Sequence, residues 1–167
     1  LGILADYVDE AGQHLEMRPN QLYAIWVKYS PVDELLFPAI LRAVDKELIT
    51  ARGVRTLSPR DSRYKGVYQG TQFERDLAYH QGCTRTELLA PYIEVGFRIK
   101  GADFIKRAEY LVEGFYEDIN KHGVGAFSEL YDGNPPHEPH GAISSACATA
   151  ALLKCEYLIN VNKEAVK

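Results

Sequence analysis

The sequence predicts an all-α fold, arranged as part of a helical toroid or barrel. Several segments carry an apolar period close to that of an α-helix, and no convincing pair of strands is visible. The connections between these segments alternate between short ones and long polar ones. Long loops that meet at one end of paired helices can build a site, whereas a plain helical bundle more often keeps its connections short. The pattern therefore favours a toroid over a bundle.

The first third of the chain predicts a lead-in followed by two helices. Residues 1–19 are expected to be irregular, with a turn at DEAGQ. Asn20 can cap a helix over residues 20–30, whose apolar side chains fall on one stripe. A second helix is predicted over residues 31–49, and Pro38 should either kink it or restart it.

The rest of the chain predicts three more helices, separated by two long loops. Residues 51–80 show no helical period, and a loop of that length in a compact domain is usually functional. Helices are predicted over residues 84–99 and 103–120, where apolar side chains recur in phase. The loop over residues 128–141 precedes a last helix over residues 143–160.

Length and composition are those of one globular domain. The chain has 167 residues, of which 46% are hydrophobic, and a formal net charge of -4. We expect residues 1–167 to form a single domain. The sequence contains no basic run that would suggest a nucleic-acid partner, and no apolar stretch long enough for a membrane span. No signal peptide is visible at its N-terminus.

The cysteines and histidines predict neither disulfides nor a metal site. Cys83, Cys147 and Cys155 are odd in number and form no CxxC pair, so we expect buried, reduced thiols in a reducing compartment such as the cytoplasm. His137 and His140 lie in a loop without the ligand spacing of a metal cluster. A glycine-rich phosphate loop and a GxSxG nucleophile motif are also missing from the sequence.

Three loops hold most of the candidate binding residues. They are MRPNQ at 17–21, RTLSPRDSRYKGVYQG at 55–70 and RDLAYHQG at 75–82, and their candidates are Arg18, Asn20, Arg60, Asp61, Tyr79, His80 and Gln81. Arg60 and Asp61 are adjacent and cannot face each other, so each needs another partner. Sugar hydroxyls would serve, because they accept from Arg and donate to Asp. The alternatives are a capped helix start, a surface salt-bridge loop and a structural histidine.

Glu129 is the best single candidate for a catalytic acid. It lies near the start of SELYDGNPPHEPHG, just before residues that are too rich in Gly, Pro, Asn and Asp to form a helix or a strand. One interpretation is a solvated loop charge, which the residue types alone favour. The other is a catalytic carboxylate held at the mouth of a pocket.

Taken together, the four motifs resemble a known family. The segments RPNQ, GVRTLSPRDSRYKGVYQG, RDLAYHQG and SELYDGNPPHEPHG follow one another as they do in prokaryotic-type glycogen debranching enzymes. The resemblance is to the C-terminal part of the amylo-α-1,6-glucosidase domain and covers residues 15–160. It implies about half of an (α/α)6 barrel of the six-hairpin glycosidase type. It also implies a cytoplasmic enzyme that needs no cofactor and hydrolyses, with inversion, the α-1,6-linked glucose at branch points of an α-glucan.

The resemblance also implies roles for residues. Glu129 would be the general base, and Arg18, Asn20, Arg60, Asp61, Tyr79, His80 and Gln81 would bind or orient the glucose. The general acid of the family is an Asp in an upstream segment that has no counterpart here. The chain also begins with Leu rather than Met. We therefore expect a C-terminal portion that pairs with the rest of its parent domain, or that self-associates to cover an apolar face.

Two departures from the family pattern leave alternatives open. Arg85 and Glu87 stand where the family has tryptophans after HQG, and Cys147 stands at a tryptophan position in the last helix. These changes favour, as a second hypothesis, a related (α/α)6 glucosidase with another specificity. A third hypothesis is a glucan-binding or scaffold module without catalysis.

Overall fold

The computed structural model describes residues 3–167, so the first two residues of the predicted lead-in lie outside it. Helices predominate in this part of the chain, as predicted, but the prediction of an all-α fold is wrong because strands are also present. The α-helices are α1 (Asn20–Trp26), α2 (Phe37–Glu47), α3 (Gln72–Tyr79), α4 (Leu89–Lys100), α5 (Ile105–Tyr116) and α6 (Ala146–Glu164). The strands are β1 (Tyr7–Asp9), β2 (Gly12–His14), β3 (Ile49–Thr50), β4 (Gly53–Arg55), β5 (Thr84–Arg85), β6 (Leu130–Tyr131) and β7 (Pro139–His140).

Helix α4 lies at the centre of the core and packs against α1, α2 and α6. Most of its residues are buried, which explains why its sequence is apolar on more than one face. Two of its polar links reach the neighbouring helices α2 and α1. Tyr92 donates to Asp45 on α2 at 2.6 Å, and Glu94 accepts from the Trp26 indole N–H at 2.7 Å. These partly buried hydrogen bonds therefore link α4 to both neighbouring helices.

The first two helices are shorter than predicted. Helix α1 ends at Trp26, because Val27 is extended and the Ser30 hydroxyl turns back to donate to the Ala24 carbonyl at 2.7 Å. Helix α2 begins at Phe37, with Pro38 in its first turn. Of the two outcomes expected for Pro38, a kink or a restart, the structure shows the restart.

The prediction of a loop over residues 51–80 is wrong for its last part, which forms α3. Thr71 accepts from the Glu74 backbone N–H, and the Glu74 side chain accepts from the Thr71 N–H at 2.7 Å. This reciprocal pair is a capping box, whose sequence signature is a Thr followed three residues later by a Glu. Helix α3 was hard to predict from periodicity because Ala78 is the residue that it buries.

The five-stranded antiparallel sheet is the largest departure from the prediction. Its strand order is β3-β4-β5-β6-β7, and its central register pairs Val54 with Arg85, Arg85 with Leu130, and Leu130 with His140. Strands of two or three residues are too short to show an alternating pattern. The lead-in is likewise partly regular, since β1 and β2 form a hairpin around the predicted DEAGQ turn.

All three cysteines are free thiols. Cys83 and Cys155 are buried as expected, but Cys147 is exposed on the surface of α6, which corrects that part of the prediction. None of the helices in residues 3–167 has the length and apolar character that crossing a membrane requires. The same residues contain no group of three or more His, Cys, Asp and Glu side chains placed to hold a metal ion.

Candidate active site

The five-stranded sheet positions Glu129, which immediately precedes β6. Its backbone N–H donates to the Ala142 carbonyl at 3.0 Å, one residue out of the register that pairs β6 with β7. Each carboxylate oxygen then has a donor. The Tyr79 hydroxyl donates to Oε1, and the Ala142 N–H donates to Oε2 at 3.0 Å. The carboxylate is therefore fixed from two sides, while 27% of the side chain stays accessible to solvent.

Arg85 on β5 completes the surroundings of Glu129. Its Nη1 lies 3.7 Å from Glu129 Oε1, and its guanidinium lies 4.7 Å from the centre of the Tyr79 ring. Glu87 holds the same guanidinium, because its Oε1 accepts from Nε at 2.7 Å and lies 2.7 Å from Nη2. The positions at which the resemblance implies tryptophans thus form a charged wall of the site. Sequence reasoning treated Arg85 as a loss and missed its contact with Glu129.

These contacts keep Glu129 ionised. The hydrogen bond from Tyr79 lowers the pKa of Glu129 most, and the Ala142 N–H and the charge of Arg85 lower it further, against the opposing effect of burial. Burial raises the pKa of Tyr79, and its bond to Glu129 adds to this, so the hydroxyl keeps its proton as a donor. His80 is neutral near pH 7, since burial and the charges of Arg85 and Arg18 lower its pKa.

Asp132 anchors the loop that carries Tyr68, whose ring packs against Tyr79. It is buried, accepts from the Tyr68 backbone N–H at 2.7 Å, and lies 2.9 Å from His140 Nε2. The Tyr68 ring therefore packs between Tyr79 and His140, at 6.4 Å and 5.4 Å between ring centres. Asp132 was not predicted, and its signal in the sequence is a second acid three residues after Glu129.

Two glycines allow the backbone to approach this site closely. Gly141 has φ of +72°, and a Cβ there would lie 2.8 Å from Glu129 Oε2. Gly82 has φ of +144°, and a Cβ there would lie 2.6 Å from the Lys65 carbonyl oxygen. Both positions combine a backbone conformation that favours glycine with a lack of room for a side chain.

A comparison with models of protein families finds a match to the chain that forms this arrangement. The family model described as Amylo-alpha-1,6-glucosidase matches residues 1–154, which include the whole sheet and Glu129. The chain belongs to this family. The resemblance seen in the four sequence motifs is therefore confirmed. A comparison with curated proteins gives no match.

In this amylo-alpha-1,6-glucosidase family member, Arg18 and Asn20 connect loops behind the site. Arg18 Nη1 donates to the carbonyls of His80 at 2.6 Å and Thr56 at 3.1 Å. Asn20 donates to Asp6 Oδ1 at 2.6 Å, and Arg18 Nε lies 3.5 Å from the other oxygen of that carboxylate. Arg18 thus holds the backbone at the end of α3, next to Tyr79.

His80 and Gln81 reach the site through the same end of α3. The His80 ring meets the Tyr79 ring edge-on, with 4.8 Å between their centres. The backbone of Gln81 is fixed on both sides, since its N–H donates to the Ala78 carbonyl at 3.0 Å and its carbonyl accepts from the Lys65 N–H at 2.6 Å. Of these three candidates, Tyr79 contacts Glu129 directly, His80 contacts the Tyr79 ring, and Gln81 ties the end of α3 to the backbone of Lys65.

Arg60 and Asp61 lie in a different place, where Arg60 pairs with Glu47 on α2 and Asp61 pairs with Arg63 in its own loop. Arg60 Nη1 lies 3.1 Å from Glu47 Oε1, and Asp61 accepts from Arg63 in a two-point pair at 2.9 and 2.7 Å. The hydrogen bond from Arg63 lowers the pKa of Asp61 to about 2. Both residues line a cavity of about 560 Å³, together with Glu16 and other residues. The structure therefore divides the predicted binding residues between two regions.

Proposed function

We propose that this chain is the glycosidase portion of a glycogen debranching enzyme, in which Glu129 is the general base. The reaction is hydrolysis, with inversion, of the α-1,6-linked glucose at branch points of an α-glucan. The observation that carries the proposal is the carboxylate of Glu129, bound at both oxygens and still partly open to solvent. Membership in the amylo-alpha-1,6-glucosidase family supports the substrate class.

The environment of Glu129 suits a base that activates water. A general base must be ionised at the working pH, fixed in orientation and within reach of the proton that it removes. The Tyr79 and Ala142 bonds meet the first two requirements, because they lower the pKa of Glu129 and fix its side chain. Water attacks the anomeric carbon, Glu129 takes the proton of that water, and the leaving oxygen takes a proton from a general acid. The two carboxyl groups of an inverting pair stand about 6.5–9.5 Å apart.

The general acid is proposed to come from a segment upstream of these 167 residues, as the family resemblance implies. In this view the chain supplies about half of an (α/α)6 barrel as a single domain, and the rest of the parent domain, or a second copy, covers it. The buried thiols of Cys83 and Cys155 support a reducing, cytoplasmic location.

The two regions of candidate binding residues suggest two parts of a glucan site. Tyr79, His80 and Gln81 would contact the glucose beside Glu129, and Arg18 would support them from behind. Arg60 and Asp61, with the cavity that they line, would contact a more remote part of the glucan. Asn20 would act through Asp6 on the same support.

A related glucosidase with another specificity is the second candidate, and Arg85 with Glu87 favours it. Aromatic rings commonly stack on the faces of sugars, whereas an ion pair offers hydrogen bonds to hydroxyl groups. The wall of the site beside Tyr79 carries this ion pair. A substrate series that compares α-1,6 with α-1,4 linkages would separate the two candidates.

The decisive experiment measures glucose release from a glucosyl-branched limit dextrin, with the protein expressed from its complete open reading frame. Glu129→Gln keeps the shape of the side chain and removes the base, so a loss of about 10²–10⁴-fold is expected. Glu109→Gln on α5, whose carboxylate pairs with Lys163, is the matched control and should keep wild-type activity. If NMR shows that β-glucose is released before mutarotation produces the α-anomer, inversion is confirmed.

Two outcomes would contradict the proposal. If Glu129→Gln releases glucose as fast as the wild type, Glu129 is a solvated loop charge. If the wild-type protein binds the dextrin and releases no glucose, the chain is a glucan-binding module, and Glu129→Gln should then leave binding unchanged.

A further inference from the structure

The guanidinium of Arg85 lies between two carboxylates, those of Glu87 and Glu129. Glu87 Oε1 accepts from the Arg85 Nε at 2.7 Å and lies 2.7 Å from its Nη2, while Glu129 Oε1 lies 3.7 Å from its Nη1. The three side chains are 19%, 24% and 27% exposed, so solvent screens their charges less than on an open surface. The arrangement is therefore a short row of alternating charges, Glu87–Arg85–Glu129.

The position of Arg85 is fixed by more than its charge. Its backbone pairs with Leu130 in the sheet, and Leu130 is the residue that follows Glu129. Its guanidinium also covers the ring of Tyr79, whose hydroxyl donates to Glu129. Burial works to lower the pKa of Arg85, and the charge of Glu87 and the contact with Tyr79 outweigh it, so the guanidinium stays charged.

We propose that Arg85, aligned by Glu87, is a positioning residue that holds the Glu129 carboxylate in its charged form and keeps Tyr79 in place to bind it. The catalytic consequence rests on the proposed function, in which Glu129 is the general base. The electrostatic relationship itself does not depend on activity. Glu87 acts through Arg85, because it takes up part of the charge that would otherwise act on Glu129.

The charges that act on Glu129 give opposite signs for the two neighbours. Four titratable groups surround Glu129: Tyr79 and His80 at the end of α3, Arg85 on β5, and Glu87 in the turn that follows β5. Next to them lie Tyr68, Asp132, which binds the Tyr68 backbone, and His140, which packs against the Tyr68 ring. Removing Arg85 takes away a positive charge and leaves Glu87 to repel Glu129, and both changes favour the protonated form. Removing the charge of Glu87 ends this repulsion and frees Arg85 for Glu129, and both changes favour the ionised form.

The test is a ¹³C NMR titration of the Glu129 carboxyl carbon in the full protein, with its signal assigned by its loss in Glu129→Gln. Arg85→Gln should move the titration midpoint to higher pH than in the wild type, and Glu87→Gln should move it to lower pH. Arg85→Lys keeps a positive charge, so its midpoint should lie below that of Arg85→Gln. Arg42→Gln, which removes an exposed guanidinium from α2, is the control for net charge and should leave the midpoint unchanged.

The proposal is overturned if Arg85→Gln shifts the midpoint no more than Arg42→Gln does, or if Glu87→Gln raises it. If Arg85→Gln fails to fold, Glu87→Gln decides alone, since it keeps Arg85 and its pairing in the sheet. The acidic limb of kcat/KM for glucose release should follow the same two directions. Shifts in the titration without any glucose release would support the role of Arg85 and contradict only the proposed function.

Discussion

The Tyr79 hydroxyl donates to Glu129 Oε1 across a separation of 50 residues in the sequence. This bond joins the last residue of α3 to the residue that precedes β6, so one contact links two of the four motifs. A carboxylate that accepts a hydrogen bond in its charged form has a lowered pKa, and Glu129 shows this effect. The motif RDLAYHQG therefore acts on the acid of SELYDGNPPHEPHG directly.

Tyr79→Phe is expected to weaken Glu129, the proposed general base, without removing its carboxylate. The ring remains to pack against Tyr68 and Arg85, but the donor to Glu129 is lost. The pKa of Glu129 should rise, and the acidic limb of the pH profile of kcat/KM should move to higher pH. Stability should fall by about 1.5–3 kcal/mol, the range for a hydrogen bond to a charged group. A pH profile that coincides with that of the wild type would contradict the role of this bond.

Asp61→Asn should flatten the loss of stability in acid. The pKa of Asp61 is about 2 in the folded protein and 3.8 ordinarily, chiefly because Arg63 binds it. Its stabilising contribution is present above pH 3.8 and is lost as the pH falls towards about 2. The free energy of unfolding, measured with urea between pH 5 and pH 2, should fall less steeply in the variant. Asp103→Asn, at an exposed site, is the control and should keep the wild-type slope.

The three thiols should separate clearly in a labelling experiment. Burial raises the pKa of Cys83 and of Cys155 to about 12, so their thiolates are scarce at pH 8. Cys147 is exposed. Because the thiolate is the reactive form, an alkylating reagent should modify one thiol quickly in the native protein and all three in denaturant. Cys147→Ser should abolish the fast phase, and a fast phase that survives this change would refute the assignment.

Gly96→Ala should destabilise the protein, although alanine favours helix. A Cβ at Gly96 in α4 would lie 2.1 Å from the Phe104 ring, which is buried. Overpacking of this kind costs about 1–3 kcal/mol and exceeds the gain in helix propensity of about 1 kcal/mol. Gly114→Ala in α5 is the matched control, since its nearest neighbour is the end of the Arg52 side chain at 3.0 Å. Thermal unfolding should show a lower Tm for Gly96→Ala than for Gly114→Ala.

The sequence predicted the fold best where its elements are long. Helices α4, α5 and α6 span 12, 12 and 19 residues, enough for an apolar period to be read. The strands of the five-stranded sheet have two or three residues each, and their pairing depends on partners far away in the chain. Helix α3 could have been predicted from the capping box of Thr71 and Glu74, because that signal is local.

The candidate site divides in the same way. Glu129, Tyr79 and His80 were recognisable because each lies within a motif. The contact of Arg85 with Glu129 was not, since it follows from the register that pairs β5 with β6. Arg60 and Asp61 lie in a motif as well, yet their partners Glu47 and Arg63 place them at a separate cavity that Glu129 does not line. A motif thus indicates which residues matter, and the pairing of distant strands decides which of them meet.

The topology of the five-stranded sheet also indicates when, during folding, the contacts of Glu129 should form. Strands β3 and β4 are joined by two residues, and β6 and β7 by a short loop, so each pair can close early. The pairing of β5 with β6 instead closes the long span between Arg85 and Leu130, which carries a larger entropy cost. A refolding chain should therefore regain its helical circular dichroism before it regains glucose release. The carboxylate of Glu129 meets Tyr79 and Arg85 only when β5 pairs with β6. In partly folded molecules the carboxylate therefore lacks the two contacts that lower its pKa.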